Sequence, residues 1–145
     1  MLITTPLDSN DIANPIDGLP PVNVLELNQI MRVDESLGGI RLASHIEMAM
    51  DTVNGQLDSF FNLTVYHQPA IALTDLQKRI YKRAVLHESC ALVTDQYVDF
   101  DTASSGRMRE EKQVQITNKS QRMRRIVNHC IADLTGKPRN RVKLI

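Results

Sequence analysis

The stretch from Thr74 to Phe100 places the strongest limit on what this chain can fold into. Thr74 is suited to cap a helix N-terminus, and Asp75 favours the positive end of the helix dipole. A helix of that length spans roughly 40 Å. Set at about 100° per residue, Leu76, Ile80, Ala84, His87, Cys90, Ala91, Thr94, Tyr97 and Val98 share one broad face. Tyr81, Val85 and Leu92 fall on the opposite side. A surface helix needs only one apolar stripe. Two faces require either a central position within one bundle or contact with a neighbouring subunit through Tyr81, Val85 and Leu92.

Three further helices fit around it. Asn23 is a good N-cap, with Glu26 in the capping-box position, and predicts a short helix ending near Met31. Asp34, Glu35 and Gly38-Gly39 interrupt it. The next helix should run from about Gly39 to about Phe60, because Leu42, Ile46, Met50, Val53 and Leu57 make one stripe. Gly55 lies inside it and suggests close packing at a cost of about 1 kcal/mol relative to Ala. Asn62 to Pro69 reads as a loop, as does Asp101 to Gly106. The last helix should run from about Met108 to about Leu134, with Met123, Ile126, Val127, Cys130, Ile131 and Leu134 as its apolar positions. Gly136 suits the C′ position and Pro138 follows, which is a helix stop.

The two ends read differently. Pro6, Pro15, Pro20 and Pro21, with several turn-forming residues, predict an extended arm over residues 1–22 that gains order by lying on another surface. The tail Arg139–Ile145 alternates basic or polar with apolar residues, a strand-like period with no second strand evident in the chain. Such a tail either adds to a sheet edge of another protein or stays disordered. The expected organisation is an arm over 1–22, a helical bundle over 23–136 and a tail over 137–145. The fold class is all-α, a small bundle of about four helices.

A chain of 145 residues suits a single domain with its own core. The N-terminal MLITTPLDSND lacks the basic region and apolar core of a secretory signal. No apolar run approaches the roughly 18–20 residues that span a bilayer. A soluble chain made in the cytoplasm is expected. Two cysteines are too few for a disulfide framework, and with no Trp and only three Phe and three Tyr the chain cannot build a base-stacking platform.

Net charge is zero, yet its distribution is uneven. Residues 1–106 hold 6 basic and 14 acidic side chains, whereas 107–145 hold 11 basic and 3 acidic. Such a chain can present its basic end to an acidic partner such as DNA, pair head to tail with its own copies, or simply keep a solvated basic face. Arg107, Arg109, Lys119, Arg122, Arg124 and Arg125 are the candidates for an acidic partner or for phosphate contact. A regulator that binds nucleic acid through this last helix is the alternative to a structural role. No helix-turn-helix with a short turn precedes it, and no base-reading residues stand out. The same basic amphipathic pattern can lie on a membrane surface, but its apolar side is more simply core.

Catalytic and cofactor chemistry finds no support. Gly38-Gly39 lacks the Lys-Ser/Thr of a phosphate loop, and HExxH, CxxC and GxSxG are missing from the sequence. His87 with Cys90, and His129 with Cys130, are the nearest approach to a zinc set. The adjacent pair diverges by about 100° on a helix, so core cysteines are the simpler reading. Asp95, Asp99 and Asp101 lack the glycine and closing glutamate of a calcium loop. No enzyme activity and no cofactor are expected.

Ordered strings run along nearly the whole chain: Leu19-Pro-Pro-Val-Asn-Val, Ile30-Met-Arg-Val-Asp34, Ile40-Arg-Leu, Met50-Asp-Thr-Val-Asn-Gly-Gln-Leu57, Tyr81-Lys-Arg-Ala-Val85, Tyr97-Val-Asp-Phe-Asp-Thr-Ala-Ser-Ser-Gly106, Ile131-Ala-Asp-Leu-Thr-Gly-Lys-Pro-Arg139 and Val142-Lys-Leu-Ile145. In this set the chain resembles the head completion proteins of P2-like tailed phages. The resemblance implies a head–tail connector in the virion neck, assembled in the host cytoplasm. By analogy with helical adaptor rings, twelve copies would sit beneath the portal after DNA packaging, extend the DNA channel, and dock the next neck or tail terminator protein. Contact with DNA would be non-specific at most, with no membrane involved. The unpaired tail is then the candidate portal anchor: Arg139, Arg141, Val142, Lys143, Leu144 and Ile145.

Overall fold

Helix boundaries follow the capping chemistry closely. The computed structural model describes residues 11–30, 38–61, 72–100 and 106–137. A two-residue ladder pairs β1 (Asp11–Ile12) with β2 (Val22–Asn23), antiparallel, with Asp11 opposite Asn23 and Ile12 opposite Val22. Then come α1 (Val24–Ile30), α2 (Gly38–Phe61), α3 (Asp75–Phe100) and α4 (Gly106–Thr135). Asn23 caps α1, its Oδ1 accepting from the Leu25 amide at 2.7 Å. Thr74 and Gln77 form a reciprocal capping box at the start of α3. The Gln77 amide donates to Thr74 Oγ1 at 3.2 Å, and the Thr74 amide donates to Gln77 Oε1 at 2.9 Å. Gly136 closes α4 with φ +71°, the left-handed conformation that glycine adopts without steric cost.

The protein is an all-α bundle organised around α3. α4 packs chiefly on α3, α2 packs on α3 as well, and α2 and α4 meet only lightly. The short 101–105 connection and the long shared surface make α3 and α4 an antiparallel pair. The stripe Leu42, Ile46, Met50, Val53 and Leu57 is buried throughout. From α4, Val127, Cys130 and Leu134 are buried, with Met123, Ile126 and Ile131 packed at the edge.

Because α3 is covered from several directions, its two apolar faces are both used within the chain. Ala84, Cys90 and Ala91 of the broad face are buried, while Leu76 in the first turn is 59% exposed. Of the three candidate subunit contacts, Tyr81 and Val85 are fully buried and Leu92 packs against the core. They are interior residues of this bundle and offer little surface to a neighbouring copy. Polar residues inside the helix are satisfied locally. Ser89 Oγ donates to the Val85 carbonyl at 2.8 Å, and Thr94 Oγ1 donates to the Cys90 carbonyl at 2.7 Å.

Two other expectations change. Residues 11–22 do not reach out as an arm; they fold onto their own bundle. Leu19 and Val22 are buried, and Ile12 and Ile16 pack against the core. Asn14 makes this turn-rich path stable, since its Oδ1 accepts from the Ile16 amide at 3.1 Å and its Nδ2 donates to the Pro20 carbonyl at 3.3 Å. Gly18, with φ 90°, supplies the positive φ of the bend. Gly55 does not mark close packing: it is exposed, and a Cβ there would meet nothing within 4 Å. The loop expected at 62–69 and the tail at 139–145 lie outside the described residues.

Candidate interaction surfaces

A buried polar triad fixes the N-terminal segment to the two helices beneath it. Tyr81 Oη donates to Asn54 Oδ1 at 2.6 Å. Asn14 Nδ2 donates to Tyr81 Oη at 2.6 Å, and Asn54 Nδ2 donates to Asn14 Oδ1 at 3.2 Å. Each of the three side chains is bonded to the other two, so α2, α3 and residues 11–23 are tied at one point. Burial pushes the Tyr81 phenol up to about 12, against the hydrogen bond donated by Asn14, which favours ionisation; Asp51 adds to the rise. Sequence reasoning assigned Tyr81 only as an apolar position. The sole hint was Asn54, a weak helix former set between two stripe positions.

The basic residues of α4 divide into two groups. Arg124 is committed internally. Its Nη2 donates to Asp95 Oδ2 at 2.8 Å, its Nη1 donates to Ser120 Oγ at 2.8 Å, and its Nε lies 3.7 Å from Glu88 Oε1. It clamps α4 to α3, and its charge is largely spent on Asp95 and Glu88 instead of an outside partner. Lys119, Arg122 and Arg125 are exposed. Arg107 and Arg109 belong to the first turn of α4, and their side chains lie outside the described residues. A second ion pair, Lys82 Nζ to Glu26 Oε1 at 3.3 Å, holds α1 against α3.

A groove of about 750 Å³ opens between the end of α2 and the second half of α4. Phe60, Ile131 and Ala132 give it an apolar side, while Arg125, Asn128, His129 and Lys137 give it a polar, basic side. Phe60 is 50% exposed although it follows Leu57 by three residues. Only tertiary placement shows this, because the sequence pattern continues the buried stripe.

Cys90 and Cys130 are both buried in the core, and neither is in a disulfide. Burial raises the Cys90 thiol to about 11, with Lys119 opposing the rise. His87 is pushed down by burial, although its Nδ1 lies 2.8 Å from the Arg83 carbonyl. Among the described residues, no group of three His, Cys, Asp or Glu side chains is placed to hold a metal ion. No helix among them is long and apolar enough to cross a membrane. The proposed anchor residues Arg139, Arg141, Val142, Lys143, Leu144 and Ile145 lie outside the described residues.

Comparison with known proteins gives a match to the phage head completion protein (GPL) family over residues 19–145. Neither the curated proteins nor the solved structures yield a match.

Proposed function

Since this chain belongs to the phage head completion protein (GPL) family and is a structural component of the virion, we propose that it completes the head by assembling as a ring beneath the portal after DNA packaging. Twelve copies would match the portal symmetry. The ring extends the DNA channel and offers a docking surface to the next neck or tail terminator protein. The supporting observation is that the family match continues to residue 145, through the alternating tail. Leu144 or Ile145 enters a portal pocket, Arg141 and Lys143 meet an acidic rim, and the tail backbone pairs with a portal strand edge. Pairing of this kind satisfies the backbone donors and acceptors that a lone strand leaves open. Lys119 and Arg122 contribute non-specific phosphate contact at the channel, a contact that weakens steeply with salt. Assembly takes place in the host cytoplasm, and the finished ring lies in the neck.

The test uses DNA-filled heads that lack this protein. Purified full-length protein should bind them in multiple copies and block DNA loss. A chain ending at Pro138 should bind at least tenfold less. Equal binding by the shortened chain removes the tail as the anchor, and single-copy binding by the full chain removes the ring.

A further inference from the structure

Two exposed patches of opposite charge lie on different faces of the bundle. The groove between α2 and α4 is one of them, with Phe60 and Ile131 flanked by Arg125 and Lys137. The other is on the first half of α2. There Met48 is 52% exposed, and its neighbours Glu47 and Asp51 are exposed beside a recess formed with residues 13–15 of the N-terminal segment. An exposed apolar side chain beside two carboxylates is complementary in polarity and charge to an apolar groove bordered by two cations.

We propose that the acidic knob of one copy seats in the basic groove of the next. Met48 packs on Phe60 and Ile131, while Glu47 and Asp51 face Arg125 and Lys137. This rests on the ring reading and names the contact that closes the ring. At about 100° per residue, Met48 and Asp51 stand roughly 120–180° around α2 from Phe60. Knob and groove of one copy therefore face away from each other and cannot meet. A two-fold contact of groove on groove would oppose cation to cation. The complementary arrangement is heterologous, each copy giving its knob in one direction and its groove in the other, and such contacts generate a ring when the rotation between successive copies closes. The division of charge along the chain agrees, because the knob belongs to the acidic residues 1–106 and the groove cations to the basic residues 107–145.

Charge reversal on DNA-filled heads tests the contact, with bound copies per head as the readout. Three full-length variants are compared with wild type: Arg125→Glu with Lys137→Glu, Glu47→Arg with Asp51→Arg, and all four together. Each reversed pair should lower the bound copies at least tenfold at limiting protein, and the fourfold variant should recover to within twofold of wild type. All four sites are exposed; should a variant fail to melt like wild type, Met48→Ser carries the test and should lower the copies several-fold. Wild type binding in many copies with unchanged binding by either reversed pair overturns the interface and leaves the ring standing. Loss in both pairs without recovery in the fourfold variant overturns it equally, and assigns the groove to the portal or to DNA. Wild type binding as a single copy overturns the ring reading itself.

Discussion

Removing one oxygen atom tests whether the polar triad holds the N-terminal segment in place. Tyr81→Phe keeps the ring in its fully buried site and deletes the hydroxyl that donates to Asn54 at 2.6 Å and accepts from Asn14 at 2.6 Å. Asn14 Nδ2 keeps a second acceptor, the Pro20 carbonyl at 3.3 Å, and Asn54 Nδ2 keeps Asn14 Oδ1 at 3.2 Å. The group left without its partner is Asn54 Oδ1, on a residue only 7% exposed. An orphaned buried acceptor costs about 1–3 kcal/mol, so the expected loss is about 2 kcal/mol, a fall in Tm of roughly 6–8 °C for a domain of this size. Urea unfolding followed by circular dichroism reads it as a lower midpoint with an unchanged slope. Asn54→Ala and the double variant complete a cycle, and coupling should exceed about 0.5 kcal/mol because the two side chains are in direct contact. A Tyr81→Phe variant within about 0.5 kcal/mol of wild type, with no coupling to Asn54, would refute the role assigned to the triad.

The other expectations concern separate parts of the fold. Tyr81 and Cys90 have folded pKa values of about 12 and about 11, above their ordinary 10.0 and 9.0. Their protonated forms are favoured by folding, so that contribution is intact below pH 9 and is lost as pH climbs from 9 to 12. Tyr81→Phe should flatten the upper part of that alkaline decline and leave the Cys90 part, as followed by urea midpoints in a pH series. Gly55→Ala should raise stability by about 1 kcal/mol, since the added methyl meets open space in a helix interior; a lower Tm would contradict the open site. Arg124→Ala should cost about 1 kcal/mol, more than an ordinary surface ion pair because it leaves Glu88, whose side chain is 9% exposed, without its cation. If calorimetry shows Arg124→Ala as stable as wild type, the clamp between α3 and α4 carries no energy.

Helix positions were legible because they are local. The 100° periodicity, the caps at Asn23 and Thr74, and the stop at Gly136 each depend on residues within one or two turns, and the structure places the four helices where those signals lie. Family membership was legible for a related reason, since strings such as Met50–Leu57 and Ile131–Arg139 are carried by residue order alone. Tyr81, Val85 and Leu92 show where that reading stops. The second face of α3 was visible in the sequence, but whether it met α1 and α2 or a second copy was not, because periodicity gives a direction around one helix and says nothing about what stands there.

Pairing between distant residues had the same limit. Asn14, Asn54 and Tyr81 are 27 to 67 residues apart in their mutual bonds, and Arg124 finds Asp95 across 29 residues. Four prolines and a run of turn formers describe an extended arm equally well whether it lies on a neighbour or folds back on its own core, and a single glycine in a helix is equally consistent with a tight crossing or an open face. The sequence by itself determined the elements, their order and which side of each is apolar, since these follow from backbone geometry and side-chain type within a few turns. The tertiary structure decided which apolar sides cover one another, which cation is already paired, and which patches are left for a partner, since those depend on distances between residues that no local pattern encodes.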